Sequence, residues 1–172
     1  MCINVHFFKQ KENSKECWFA CAMMMLNYYG KVGDSYEDLK DSYGKKMFPN
    51  PNGPDCEVPL SELMKTSGGS DDLIGMLLAD KEVPTAICYR QNMNKEQFNK
   101  KVEDSLKVEN PVIIGLDWKN DGGHFAIACG YDKDTWKILD PLEELDKLNQ
   151  YNARLKKDFV QIATAIIVTD VK

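Results

Sequence analysis

The stretch Gln10–Gly30, QKENSKECWFACAMMMLNYYG, decides how the rest of the chain is read. A polar segment carrying Gln10 runs into Cys17, and from there thirteen almost wholly apolar residues lead to Tyr29 and Gly30. A surface helix would show a one-sided apolar stripe, whereas Trp18, Phe19, Ala20, Ala22, Met23, Met24, Met25 and Leu26 cover every direction of a helical wheel. The pattern predicts a buried helix over about 17–29 with a cysteine at its amino terminus. Such a helix needs packing partners on all sides, and the remaining sequence must supply them.

At 172 residues the chain is long enough for one core, read as a single domain over 1–172. Hydrophobic residues make up 43% and charged residues 28%, the composition of an ordinary globular protein. The net charge of -5, with no Lys/Arg run interleaved with aromatics, argues against nucleic acid as a partner. No apolar run approaches the roughly 20 residues that cross a bilayer. MCINVHFFKQ lacks the basic-then-apolar layout of a secretion signal, so the expected location is cytoplasmic, or exported or injected without a classical signal peptide, unless a signal has been removed. Six cysteines stand at positions 2, 17, 21, 56, 88 and 129. Three disulfides are arithmetically open, but Cys88 and Cys129 sit in strand-like runs and Cys21 in the helix, which favours free thiols acting as small hydrophobes. With no Cys-x2-Cys pair and only His6 and His124 as histidines, no metal site or cofactor is expected.

Outward from the central helix, residues 2–10 read as an extended lead-in. Gly30-Lys31-Val32-Gly33 ends the helix, and Ser35 caps a second over 36–43 with Glu37 and Asp38 in its first turn. The segment 44–59, GKKMFPNPNGPDCEVP, reads as an irregular loop from its Pro, Asn and Gly content, with Cys56 inside it. Short helices follow over 60–65 and from Ser70 to about Asp80. Residues 1–82 thus form a mainly helical lobe. The remainder, 83–172, changes character: strands over 84–90, 111–118, 123–131, 135–139 and 163–171, and an Asn94-capped helix with Phe98, Val102 and Leu106 on one face. Leucines at 142, 145, 148 and 155 suit a further helix or helical turns. Short polar turns between the strands argue for an antiparallel sheet, hence an α+β fold.

Four residues suit nucleophilic catalysis, which needs a thiolate, a base, a group that orients the base and oxyanion donors. Cys17 at a helix start meets unsatisfied N–H groups that favour negative charge. Gln10, seven residues upstream, could fold back as an oxyanion donor beside the Cys17 N–H. His124 begins a strand and Asp140 ends the next, so an antiparallel hairpin brings them to one edge. Trp18, Trp118 and Gly123 are candidates for the cleft wall. The alternatives are ordinary ones: a core cysteine, a satisfied turn histidine, and an aspartate that merely starts a turn before Pro141. Cys21 reads as packing rather than as a resolving thiol.

Gln10 with ECWFACAMMMLNYYG, GGHFAIACGYD and WKILDPL resemble the papain-like cysteine peptidases. The likeness is to the compact bacterial branch with bacteriocin leader (double-glycine) peptidases and plant-pathogen effector proteases. The resemblance implies a helical lobe followed by a sheet lobe, and a chain order of oxyanion glutamine, nucleophilic cysteine, histidine and aspartate, matched by Gln10, Cys17, His124 and Asp140. It implies a hydrolase acting on a peptide or protein through a Cys-His-Asp triad and a covalent thioester. Transglutaminase or deamidase chemistry on the same triad, or a catalytically silent binding module of this fold, are the competing readings. Silent members commonly lose the cysteine or histidine, and both are present.

Overall fold

The structure is a computed structural model that describes residues 2–11, 14–50, 53–66, 69–118, 122–132, 135–142 and 162–169. Its elements run α1 (Cys17–Tyr28), α2 (Tyr36–Gly44), β1 (Met47–Asn50), β2 (Gly53–Pro59), α3 (Leu60–Thr66), α4 (Asp71–Ala79), β3 (Thr85–Tyr89), α5 (Lys95–Lys107), β4 (Val112–Trp118), β5 (Gly122–Asp132), β6 (Thr135–Leu139) and β7 (Ile162–Val168). The α+β reading holds. The helix suggested by the leucines after 142 lies outside the described residues.

Helix α1 is buried from Cys17 to Leu26 without interruption. It has no side-chain cap at its start, where Glu16 precedes it, so packing rather than capping holds it in place. Helices α2 and α4 instead carry serine caps: the Ser35 and Ser70 hydroxyls accept from the Asp38 and Leu73 N–H groups. Helix α5 has a full capping box between Asn94 and Gln97.

The main sheet has the order β3-β7-β4-β5-β6 with every neighbouring pair antiparallel. Alternate residues divide its two faces. Ile113, Phe125, Ile127 and Ile166 join the core around α1 and α4, while Val112, Ile114, Ala126, Ala128 and Ala165 pack under Phe98, Val102 and Leu106 of α5. That period of two is why these strands read clearly in the sequence.

Two expectations need correction. The segment read as an irregular loop over 44–59 contains the β1–β2 ribbon, with Met47 opposite Pro59 and Phe48 opposite Val58. An isolated two-stranded ribbon leaves both outer edges unpaired, so prolines fit where a central strand would reject them. Secondly, Cys2 and Cys129 form a disulfide across 127 residues, so the free-thiol reading holds only for Cys17, Cys21, Cys56 and Cys88. Cys129 lies at the irregularity in the β5–β6 register between Ala128 and Gly130. The N-terminal arm is fastened there, where Ile3 N also donates to Cys129 O at 2.6 Å. At the arm's other end Gln10 N donates to Pro141 O at 2.9 Å, and Val5 and Phe8 between them enter the core.

Candidate active site

His124 enters β5 opposite Leu116, and Asp140 follows the last residue of β6, whose Leu139 pairs with Ile127. The hairpin therefore delivers both to one edge. His124 Nε2 lies 2.9 Å from each carboxylate oxygen of Asp140. Asp140 is fully buried, and Leu142 N donates to its Oδ1 at 2.8 Å, a local turn that keeps the carboxylate aimed at the ring.

The His124 ring also hydrogen-bonds the Cys17 side chain. With Nε2 held by Asp140, Nδ1 is the nitrogen left for sulfur. Burial alone would favour the neutral ring, but the hydrogen bonds and negative charge of Asp140 and Cys17 outweigh it, and the His124 pKa is held up at about 9. One turn into α1, Cys21 is fully buried, and burial, followed by the nearby Cys17 and Asp140, pushes its thiol well above the ordinary range. Cys21 is thus a protonated packing residue.

The other sequence candidates fall as follows. Gln10 is buried, and its side-chain Nε2 donates to the Ser14 carbonyl at 3.1 Å with the Ser14 hydroxyl at 3.4 Å. Its Oε1 is buried with no partner among the described residues. Trp18, a candidate for the cleft wall, is wholly buried, so its own surface does not face solvent. Instead it underlies Gly69, where a Cβ would come within 2.0 Å of the indole. That close approach is what requires a glycine. Gly69, Asp71, Gly115, Gly123, His124 and Thr164 line a cleft of about 210 Å³. Trp118 closes β4 opposite Gly122, and its side chain is outside the described residues. A larger cavity of about 610 Å³ lies beside Cys2, Tyr28 and Cys129 and includes none of the four candidate catalytic residues.

Sequence reasoning missed Gly69, Ser14 and a Glu16–Lys40 ion pair of 3.1 Å next to Cys17. The Ser67-Gly68-Gly69 run was visible, but only as a helix stop. Among the described residues no group of His, Cys, Asp and Glu could hold a metal ion. No described helix is long and apolar enough to cross a membrane.

A cysteine at the start of a buried helix, facing a histidine on an antiparallel sheet, defines the papain-like cysteine-peptidase class of fold. The chain belongs to the Peptidase_C39-like family, whose family model matches residues 2–165. A solved structure described as a C39-like peptidase from Bacillus anthracis is similar at 19% identity and a TM-score of 0.54, covering 98% of this chain and 96% of that one. A double glycine motif protease from an AMS/PCAT transporter, solved with its leader peptide, aligns at 17% identity and a TM-score of 0.54 over 98% and 94% of the two chains. The peptidase domain of Streptococcus ComA, a bifunctional ABC transporter of a quorum-sensing pathway, aligns at 13% identity and a TM-score of 0.57 over 97% and 100%. Among curated proteins none matches.

Proposed function

We propose that the protein hydrolyses peptide bonds with Cys17 as nucleophile, His124 as acid and base, and Asp140 as the group that orients His124. The observation that carries this is the continuous hydrogen-bonded path from Cys17 through the His124 ring to a fully buried Asp140. His124, held as imidazolium up to about pH 9, puts a positive charge beside the Cys17 sulfur, which favours the thiolate as the attacking form. The thiolate attacks the amide carbonyl, the C–N bond breaks as His124 gives its proton to the leaving amine, and a thioester remains. Water then gives a proton to the neutral His124 and attacks the thioester, releasing the acid and restoring the thiolate–imidazolium pair.

The first N–H groups of α1 have no intrahelical acceptor, and the Cys17 N–H is the nearest of them to the reacting sulfur. It supplies one oxyanion donor. Gln10 supplies the second through its side-chain NH2, whose 3.4 Å contact with the Ser14 hydroxyl is the one given up to the oxyanion. The substrate is a peptide or protein, seated in the cleft beside His124 and Gly69.

The test is a peptide-library digestion with wild type and Cys17→Ala. Wild type is expected to cut a subset of peptides and Cys17→Ala none. Cleavage surviving in Cys17→Ala overturns the nucleophile. Ammonia release from casein without backbone cleavage overturns hydrolysis in favour of acyl transfer.

A further inference from the structure

The residue before the nucleophile is a carboxylate with 12% side-chain exposure. Glu16 Oε1 meets Lys40 Nζ of α2 at 3.1 Å, while its Oε2 is buried with no partner among the described residues. Lys40 is itself only 20% exposed; it also stands 3.8 Å from Glu37 and 5.6 Å from the centroid of the Tyr36 ring. Glu16 and Cys17 both act electrostatically on the Tyr36 hydroxyl, which burial pushes far above its ordinary value. Among the described residues, titratable groups on and beside the elements that meet Tyr36 and Cys17 include Glu16, Cys17, Cys21, Tyr36, Glu37, Lys40, His124 and Asp140. Among them only Lys40 and the His124 ring carry positive charge.

We propose that Lys40 is a positioning residue for the nucleophile: by neutralising Glu16 it stops a buried negative charge from opposing the Cys17 thiolate. The proposal rests on Cys17 being the nucleophile. It gives the ion pair a role beyond joining Glu16 to α2, because without Lys40 the carboxylate next in sequence to Cys17 would be an unopposed negative charge.

The readout is the pH dependence of iodoacetamide alkylation at Cys17, followed by mass spectrometry of the intact protein and its peptides. In Lys40→Met the midpoint is expected to rise by about one pH unit, with about tenfold slower alkylation at fixed pH on the rising limb. Glu16→Gln is expected to move the midpoint the other way, because Lys40 is then unopposed. Lys40→Arg should keep the wild-type midpoint, and the double variant Glu16→Gln/Lys40→Met should return towards it. A purely structural ion pair lowers the melting temperature in both single variants and leaves both midpoints where they were, which overturns the proposal. If Lys40→Met does not fold, the downward shift in Glu16→Gln decides alone. Peptide cleavage that persists in Cys17→Ala marks failure of the nucleophile assignment, whereas cleavage lost in Cys17→Ala with unmoved midpoints marks failure of the Lys40 role only.

Discussion

Cys17 and Cys56 are both free thiols, one buried and the other exposed, and geometry alone would make the exposed one react first. The proposed mechanism reverses that order, because the thiolate reacts and, of these two, Cys17 is the one beside the His124 ring. Sub-stoichiometric iodoacetamide at pH 6–7 should modify Cys17 ahead of Cys56, and faster labelling of Cys56 would remove the thiolate–imidazolium pair from the account. The His124 pKa of about 9 has a stability consequence as well. The folded value lies above the roughly 6.5 of an unfolded histidine, so the stabilisation is complete below about pH 6.5 and is lost as pH rises through 9. Urea denaturation from pH 6 to 10 should show this loss, and the alkaline limb of kcat/KM should fall near pH 9. In Cys17→Ala the sulfur's share of the upward push is gone, so the loss should still begin near pH 6.5 but be smaller and end at lower pH. The chain has only two histidines, so the His124 ring proton can be followed by NMR against His6.

At the scale of elements, strand β4 gives way to close packing at Gly115. A Cβ there would lie 2.2 Å from Thr164 Oγ1 on β7 and 3.3 Å from the Phe125 ring on β5. Thr164 Oγ1 donates to Asp71 Oδ1 at 3.0 Å, so this contact ties β7 to the start of α4 across the cleft wall. Gly115→Ala should push the hydroxyl off Asp71 and cost about 1–3 kcal/mol in urea denaturation. Adding Thr164→Ala relieves the clash, so the double variant should lose less than the sum of the two. The sequence showed Gly115 only as a glycine inside an apolar strand, since its partners come from β5 and β7. Helix α1 was legible because its signal is contiguous: every residue from Cys17 to Leu26 is apolar and every one is buried. The β1–β2 ribbon was not, because Pro and Asn mark loops and isolated ribbon edges alike.

Across the whole molecule the same division separates what could be read from what could not. His124 and Asp140 were legible as partners because sixteen residues and one hairpin separate them. Gln10 was placed near the site by order alone; its bond to Ser14 and its backbone anchor at Pro141 depend on how the arm lies against the hairpin. The Cys2–Cys129 disulfide spans 127 residues, and nothing local to either cysteine announces it. On a chain-entropy account a loop of that size is worth about 5 kcal/mol. Cys2→Ser should therefore lower the melting temperature clearly while leaving Cys17 alkylation in place, as a thermal scan beside the labelling assay would show.

That disulfide sets two sulfur sites against each other. In the proposed mechanism Cys17 works only as a reduced thiol, whereas the covalent tie between the N-terminal arm and β5 exists only while Cys2 and Cys129 are oxidised. A reductant added to keep Cys17 reduced removes that covalent tie at the far end of the segment that ends beside Asp140 and leaves the Ile3–Cys129 backbone bond to hold it. Assay buffers rich in thiol thus trade durability at high temperature for a protected nucleophile, and the redox setting becomes a variable of the enzyme rather than a convenience of its handling.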